Sequence, residues 1–134
     1  MPRIISRQEM DQIEITPATN PLSATVRVPG SKSITNRALL IAAMAEGRSV
    51  IDNVLFSDDT MQMLEALRQL GFQIVIEESD KRVSVNGLGG RIPSSGSELS
   101  IGGAGTAMRF LIPFLTLARG KFRIDGNKRM RERP

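Results

Sequence analysis

Residues 29–54 read Pro29-Gly30-Ser31-Lys32-Ser33-Ile34-Thr35-Asn36-Arg37-Ala38-Leu39-Leu40-Ile41-Ala42-Ala43-Met44-Ala45-Glu46-Gly47-Arg48-Ser49-Val50-Ile51-Asp52-Asn53-Val54. A glycine turn leads into an apolar run of helix length, a glycine stops it, and a strand-like stretch follows. The pattern predicts a helix over 34–45 and a strand over 49–54. The same order recurs twice. Ser57-Asp58-Asp59 is a helix-starting cluster, with Asp58 and Asp59 read as N-caps and Met61, Leu64 and Leu67 on one apolar face before Gly71 and a strand over 72–77. A third helix is expected over 106–118, followed by Gly120 and a strand over 121–125. Strands over 25–28, 82–86 and 99–101 fill the gaps. Helices alternating with strands predict an α/β fold with weak internal repetition, and the irregular glycine spacing argues against a solenoid.

Ala38-Leu39-Leu40-Ile41-Ala42-Ala43-Met44-Ala45 and Phe110-Leu111-Ile112-Pro113-Phe114-Leu115-Thr116-Leu117-Ala118 lack a wide polar face, which predicts interior helices covered by strands. Pro113 is expected to bend the second or offset its first turns.

Composition narrows the chemistry. The 134 residues include no Cys, His, Trp or Tyr, which excludes a thiol nucleophile, a Ser-His-Asp triad, an imidazole acid or base and the usual zinc ligands. A chain without thiols is indifferent to redox poise. The opening carries no apolar run of signal-peptide length, and Glu9 and Asp11 argue against a transit peptide. The longest strongly apolar stretch, 38–45, is far short of the ~20 residues a membrane span needs. A soluble cytoplasmic protein is expected, with no membrane partner.

The net charge of +4 is uneven: residues 119–134 hold seven Lys or Arg against Asp125 and Glu132. Such a terminus is ordinarily a solvated tail or a nucleic-acid patch. Here Lys121-Phe122-Arg123-Ile124-Asp125 alternates like a half-buried strand, and Glu132 reads as a structural ion partner for the arginines beside it.

Two helices begin in a way that core packing leaves unexplained. Gly30 with Ser31, and Gly102-Gly103-Ala104-Gly105-Thr106, place free backbone N–H groups and hydroxyls at helix starts. Lys32 and Arg37 sit in the first turns of one helix and Arg109 in those of the other. Cations are disfavoured at a helix N-terminus by about 0.3–1 kcal/mol each, and a bound phosphate or carboxylate reverses that sign. A local rule broken twice at matching positions points to an anion site. The named phosphate loops fail: Ser31 stands where a Walker loop needs glycine, and Met108 where a dinucleotide fingerprint needs glycine or alanine.

Pro29-Gly30-Ser31-Lys32-Ser33, Asn36-Arg37-Ala38-Leu39, Gly105-Thr106-Ala107-Met108-Arg109 and Arg129-Met130-Arg131-Glu132-Arg133-Pro134 resemble, in order, the signatures of the 5-enolpyruvylshikimate-3-phosphate synthase family. The similarity runs from about Ile13 to the last residue. The sister family acting on a UDP-linked amino sugar is not similar around Lys32. The resemblance implies transfer of the enolpyruvyl group of phosphoenolpyruvate to the 5-hydroxyl of shikimate 3-phosphate, with release of phosphate and no metal or organic cofactor. It implies the inside-out α/β fold of the enolpyruvyl transferases, incomplete in this chain. Residues 1–28 would be a strand segment belonging to a second domain, and 29–134 a partial substrate-binding domain with about two of three repeat units.

Matched position by position, Lys32, Ser33 and Arg37 are expected to hold shikimate 3-phosphate, and Lys32, Gly105, Thr106 and Arg129 phosphoenolpyruvate, with Lys32 catalytic. A side chain at Gly105 should obstruct phosphoenolpyruvate and inhibitors that take its place. Gly103 stands where the family usually has Asn and Phe110 where it usually has Pro, which bears on inhibitor sensitivity. The residues the family uses for proton transfer have no match here. The chain is therefore expected to need a complementing carboxyl-terminal polypeptide or self-association, and to be inactive alone. The strand at 13–15 is expected to be unpaired or completed by another chain. The alternative is a non-catalytic anion- or nucleic-acid-binding module built on the basic carboxyl-terminal strand and loop; lack of Tyr and Trp for base stacking disfavours it, leaving Phe122.

Overall fold

The computed structural model describes residues 14, 15 and 17–133. Helix α1, Lys32–Met44, starts at Ser31, which has an extended backbone and whose Oγ accepts the Ile34 N–H at 3.4 Å. Thr35, Asn36, Leu39, Ala42 and Ala43 form its buried stripe at helical spacing. The opposite side is open: Ile34 and Ile41 are each 65% exposed. The expected interior helix is thus a one-faced helix, because a single sheet and its neighbouring helices cover it from one side.

Strand β1, Glu46–Ile51, begins directly after the helix, ahead of the position expected. Gly47, read as a stop, lies inside this edge strand with φ 88°. Helix α2, Asp58–Gln69, is capped by a reciprocal pair: Thr60 Oγ1 accepts the Ser57 N–H at 2.8 Å, and Ser57 Oγ faces the Thr60 backbone. Ser57, not Asp58 or Asp59, is therefore the N-cap. Its buried face comprises Thr60, Met63, Leu64, Ala66 and Leu67, while Met61 is 43% exposed. After Gly71, strand β2, Gln73–Glu77, turns back into β3, Arg82–Leu88. The sheet order is β1-β3-β2, antiparallel throughout, with Val83 and Val85 of the central strand fully buried under α1.

The second unit is a β-α-β crossover. Strand β4, Gly96–Ser100, pairs in parallel with β5, Lys121–Asp125, in a register that sets Leu99 opposite Ile124. Helix α3, Gly105–Leu115, connects them. It stops short of the expected 118, two residues past Pro113, which lies inside the helix and has no N–H to bond back to the preceding turn. Thr116, Leu117 and Ala118 then bond back three residues, to Pro113, Phe114 and Leu115. Pro113 thus lies in the last turn of this helix, not in its first turns. A single turn, α4, Lys128–Arg131, follows with Asn127 as N-cap, its side chain accepting the Met130 N–H at 2.9 Å.

The two sheets share one core. Leu39, Leu64, Leu67, Leu99, Ile101 and Leu111 are at most 2% exposed, and the Phe72 and Phe114 rings meet across it at 5.9 Å between centroids. The strand expected over 25–28 is absent: Val26 and Val28 are 78% and 72% exposed and have no ladder partner among the described residues. Ile15 is likewise exposed and outside any strand, and Ile13 lies outside the described residues. No helix of the described residues is long and apolar enough to cross a membrane.

Candidate anion site

The N-termini of α1, α2 and α3 open on one cavity of about 890 Å³. Each helix contributes residues of its first turns: Lys32, Ser33 and Arg37 from α1, Asp59 from α2, and Gly105, Thr106 and Arg109 from α3. Arg133, just past α4, closes the wall. Three converging helix starts present unpaired N–H groups and the positive ends of three macrodipoles to the same space.

The entry to α1 is fixed by close backbone approach. A Cβ on Gly30 would lie 2.1 Å from the Asn53 carbonyl oxygen and 2.8 Å from the Leu55 nitrogen, so only glycine fits. The adjacent Leu55 N–H donates to Thr35 Oγ1 at 3.2 Å, tying the first turn of α1 to the segment that leads into α2. The glycine turn before α3 is anchored on the other side. The Asn127 N–H donates to the Gly102 carbonyl at 2.9 Å, which locks α4 and Arg133 to the start of α3. Below this joint, Asp125 Oδ1 accepts from Arg131 Nε and from the Gly126 N–H, each at 2.8 Å. The Arg131 guanidinium, followed by the backbone N–H, holds the Asp125 carboxyl well below its usual range, at about 2.

Four cations face the cavity against one carboxylate. Lys32 Nζ lies 2.8 Å from Asp59 Oδ2, with the side chains 49% and 27% exposed. Arg37 sits over the Phe110 ring, Cζ 5.7 Å from its centroid. Arg109 and Arg133 have no ion pair with the described residues. Such a cluster favours a multiply charged anion, with planar guanidiniums suited to two-point contact with phosphate or carboxylate.

Of the residues anticipated from sequence, Lys32, Ser33, Arg37, Gly105 and Thr106 share this cavity. Arg129 is exposed on α4 and outside its lining, while Arg133 of the same motif is inside it. Met130 is 8% exposed and packs into the joint, so the single turn is pinned by that residue. Asp59, expected as an N-cap because two acids follow a serine, lines the cavity instead; the serine-to-threonine spacing of 57 and 60 is the signal that Ser57 caps the helix. Nothing in the sequence singles out Arg133, whose place depends on how α4 docks on 102–105. Glu132, anticipated as an ion partner, has none among the described residues; Asp125 fills that role for Arg131.

A family model described as EPSP synthase (3-phosphoshikimate 1-carboxyvinyltransferase) matches residues 16–134. A 3-phosphoshikimate 1-carboxyvinyltransferase of Nostoc sp. is 47% identical over 125 residues, covering 93% of this chain and 29% of that protein. A chloroplastic enzyme of the same name from Nicotiana tabacum is 43% identical over 138 residues, covering 98% of this chain and 26% of its own length. Among solved structures, an EPSP synthase from Acinetobacter baumannii superposes with a TM-score of 0.72 at 30% identity, over 81% of this chain and 24% of that one. The chain spans less than a third of the length of the curated relatives it matches.

Proposed function

The chain belongs to the EPSP synthase family, and from that membership we propose that it forms the amino-terminal part of an enolpyruvyl transferase acting in the cytoplasm on the shikimate pathway. The reaction moves the enolpyruvyl group of phosphoenolpyruvate to the 5-hydroxyl of shikimate 3-phosphate: a bond from the 5-oxygen to the enolpyruvyl carbon forms, the bond from that carbon to the phosphate oxygen breaks, and the hydroxyl proton is lost as phosphate leaves. The observation that carries this reading is the convergence of three helix N-termini and four cations on one cavity. Both substrates are polyanions, and a prearranged set of fixed donors stabilises charge without reorganising during the reaction. Lys32, Ser33 and Arg37, in the first two turns of α1, are assigned to shikimate 3-phosphate. Lys32 is also assigned to phosphoenolpyruvate, with Gly105 and Thr106, and as the catalytic cation between the two; Arg129, outside the cavity lining, is assigned to phosphoenolpyruvate on the motif match alone.

The described cavity is one wall. Orientation of two substrates within a few tenths of an ångström needs groups on both sides of them, so turnover requires a second wall from a complementing polypeptide or further domain. Residues 29–134 are proposed as part of the substrate-binding domain that supplies the first wall, and 1–28 as a segment of the other domain. The nucleic-acid alternative has less support: Phe122, its one candidate stacking ring, is half-buried against the core.

The test is phosphate release from phosphoenolpyruvate in the presence of shikimate 3-phosphate, with this chain alone and with the remaining portion of a close relative added as a separate polypeptide. Activity is expected only in the mixture, with a loss of roughly 10²-fold or more in Lys32→Ala. A mixture shown to assemble yet releasing no phosphate overturns the reading.

A further inference from the structure

Asp59 is the one carboxylate among the residues that line the cavity, where it faces four cations, and the cap of α2 does not use its side chain. The cap of α2 is complete without it: Thr60 Oγ1 accepts the Ser57 N–H at 2.8 Å and donates to the Leu55 carbonyl at 2.7 Å. The neighbouring Asp58 is exposed, whereas Asp59 is partly buried and reaches Lys32 Nζ at 2.8 Å. It is thereby held twice, by the ammonium and by the positive end of α2. These are the same two sources of attraction that the cavity offers to an arriving anion.

We propose that Asp59 is a resident counter-anion of the substrate site: a positioning residue that holds the Lys32 ammonium at the cavity wall while the site is empty and that an incoming phosphate must displace or outweigh. The inference rests on the reading of this cavity as a phosphate site and adds an internal competitor to it. Arg37, Arg109 and Arg133 carry no such partner among the described residues, so the competition is confined to the lysine assigned to both substrates. A unit charge about 7 Å from a phosphate, at an effective dielectric between that of a protein surface and water, changes its affinity by roughly three- to tenfold.

Inorganic phosphate is the probe, titrated into this chain by calorimetry and by amide chemical-shift changes. Asp59→Asn keeps the shape and removes the charge, and is expected to bind phosphate roughly three- to tenfold tighter than the wild type. Asp59→Glu keeps a carboxylate and should stay within about twofold of the wild type. Asp58→Asn removes the same charge from the same helix turn on its exposed side and should also stay within about twofold. Because Asp59 also holds the Lys32 ammonium, the gain from Asp59→Asn should be smaller in a Lys32→Gln background, where only the direct effect of the charge remains, than in the wild type. Asp59→Ser serves as a second neutral variant should the asparagine variant lose its folded amide spectrum. Affinity unchanged or weakened in the neutral variants, an equal gain in Asp58→Asn, or no phosphate binding in any variant overturns the proposal. None of these outcomes alters the phosphate-release test of the parent reading, which depends on Lys32 and a second wall.

Discussion

Arg133 Nη1 lies 2.6 Å from the point where a Cβ on Gly105 would sit, with Met130 Cε the next side-chain neighbour at 3.9 Å. The glycine at the start of α3 therefore makes room for a guanidinium, and that guanidinium lines the cavity. A methyl group at 105 meets only flexible side-chain ends, so the backbone can stay while Arg133 moves. Gly105→Ala should leave the melting temperature within a few degrees of the wild type, since Gly→Ala at a compatible position stabilises by about 0.4–1 kcal/mol and offsets the crowding. Phosphate affinity should fall by roughly tenfold, the loss of one charge-assisted contact of about 1.5 kcal/mol. Unchanged affinity in a calorimetric titration would show that Arg133 contributes nothing to the site.

The Phe110 ring on α3 sits under Arg37 of α1. A cation over an aromatic face gains about 0.5–2 kcal/mol, depending on exposure. Arg37 has no carboxylate partner among the described residues, so the ring is what orients it. Phe110→Leu should weaken phosphate binding by roughly two- to fivefold while Phe110→Tyr retains it. Equal losses in both variants would assign the effect to packing instead.

The readable parts of this chain were those whose determinants are local. Helix α2 could be placed from Ser57 at one end and Gly71 at the other, and β5 from the alternation of Lys121 to Asp125, because caps and period-two patterning act within a few residues. Strand β1 was displaced because Gly47 looks like a helix stop, yet an edge strand tolerates its positive φ. Ile34, Ile41 and Ile112 misled in another way: they announce apolar faces without stating what covers them. For the site, cations at helix starts were legible as a broken electrostatic rule. That three helices aim them at one space, with Asp59 and Arg133 among them, depends on long-range docking of α1, α2 and α3 through Leu39, Leu64 and Leu111, which no short-range pattern encodes.

Asn36, beside Arg37 on α1, is fully buried, and neither its Oδ1 nor its Nδ2 has a hydrogen-bond partner among the described residues. An unsatisfied buried polar group costs about 1–3 kcal/mol, while a leucine, branched at the same atom with the same number of heavy atoms, carries no such penalty. Asn36→Leu should therefore raise the stability of this chain by about 1–3 kcal/mol, read as a higher urea midpoint at unchanged m-value. A lower midpoint would mean that the amide is bonded, as through a buried water, and that its polarity is part of the fold.

Acid should loosen the joint that carries Arg133. Asp125 is lowered from 3.8 to about 2, first by the hydrogen bond from Arg131 and then by the Gly126 N–H. A carboxyl lowered in the folded state stabilises fully above its unfolded value, near 4, and loses that contribution as pH falls through the folded value near 2. The window is thus pH 4 to 2, and stability should decline on going down through it. Asp125→Asn removes the titrating group, so its urea midpoint should fall less steeply across the same interval. Arg131→Gln should bring the Asp125 carboxyl, followed by carbon-detected NMR, back toward 4. The Arg131 side chain is 65% exposed, so added salt should weaken the shift in the wild type. A wild-type and Asp125→Asn pair with parallel midpoints from pH 5 to 2 would show that this clamp does not couple β5 to α4.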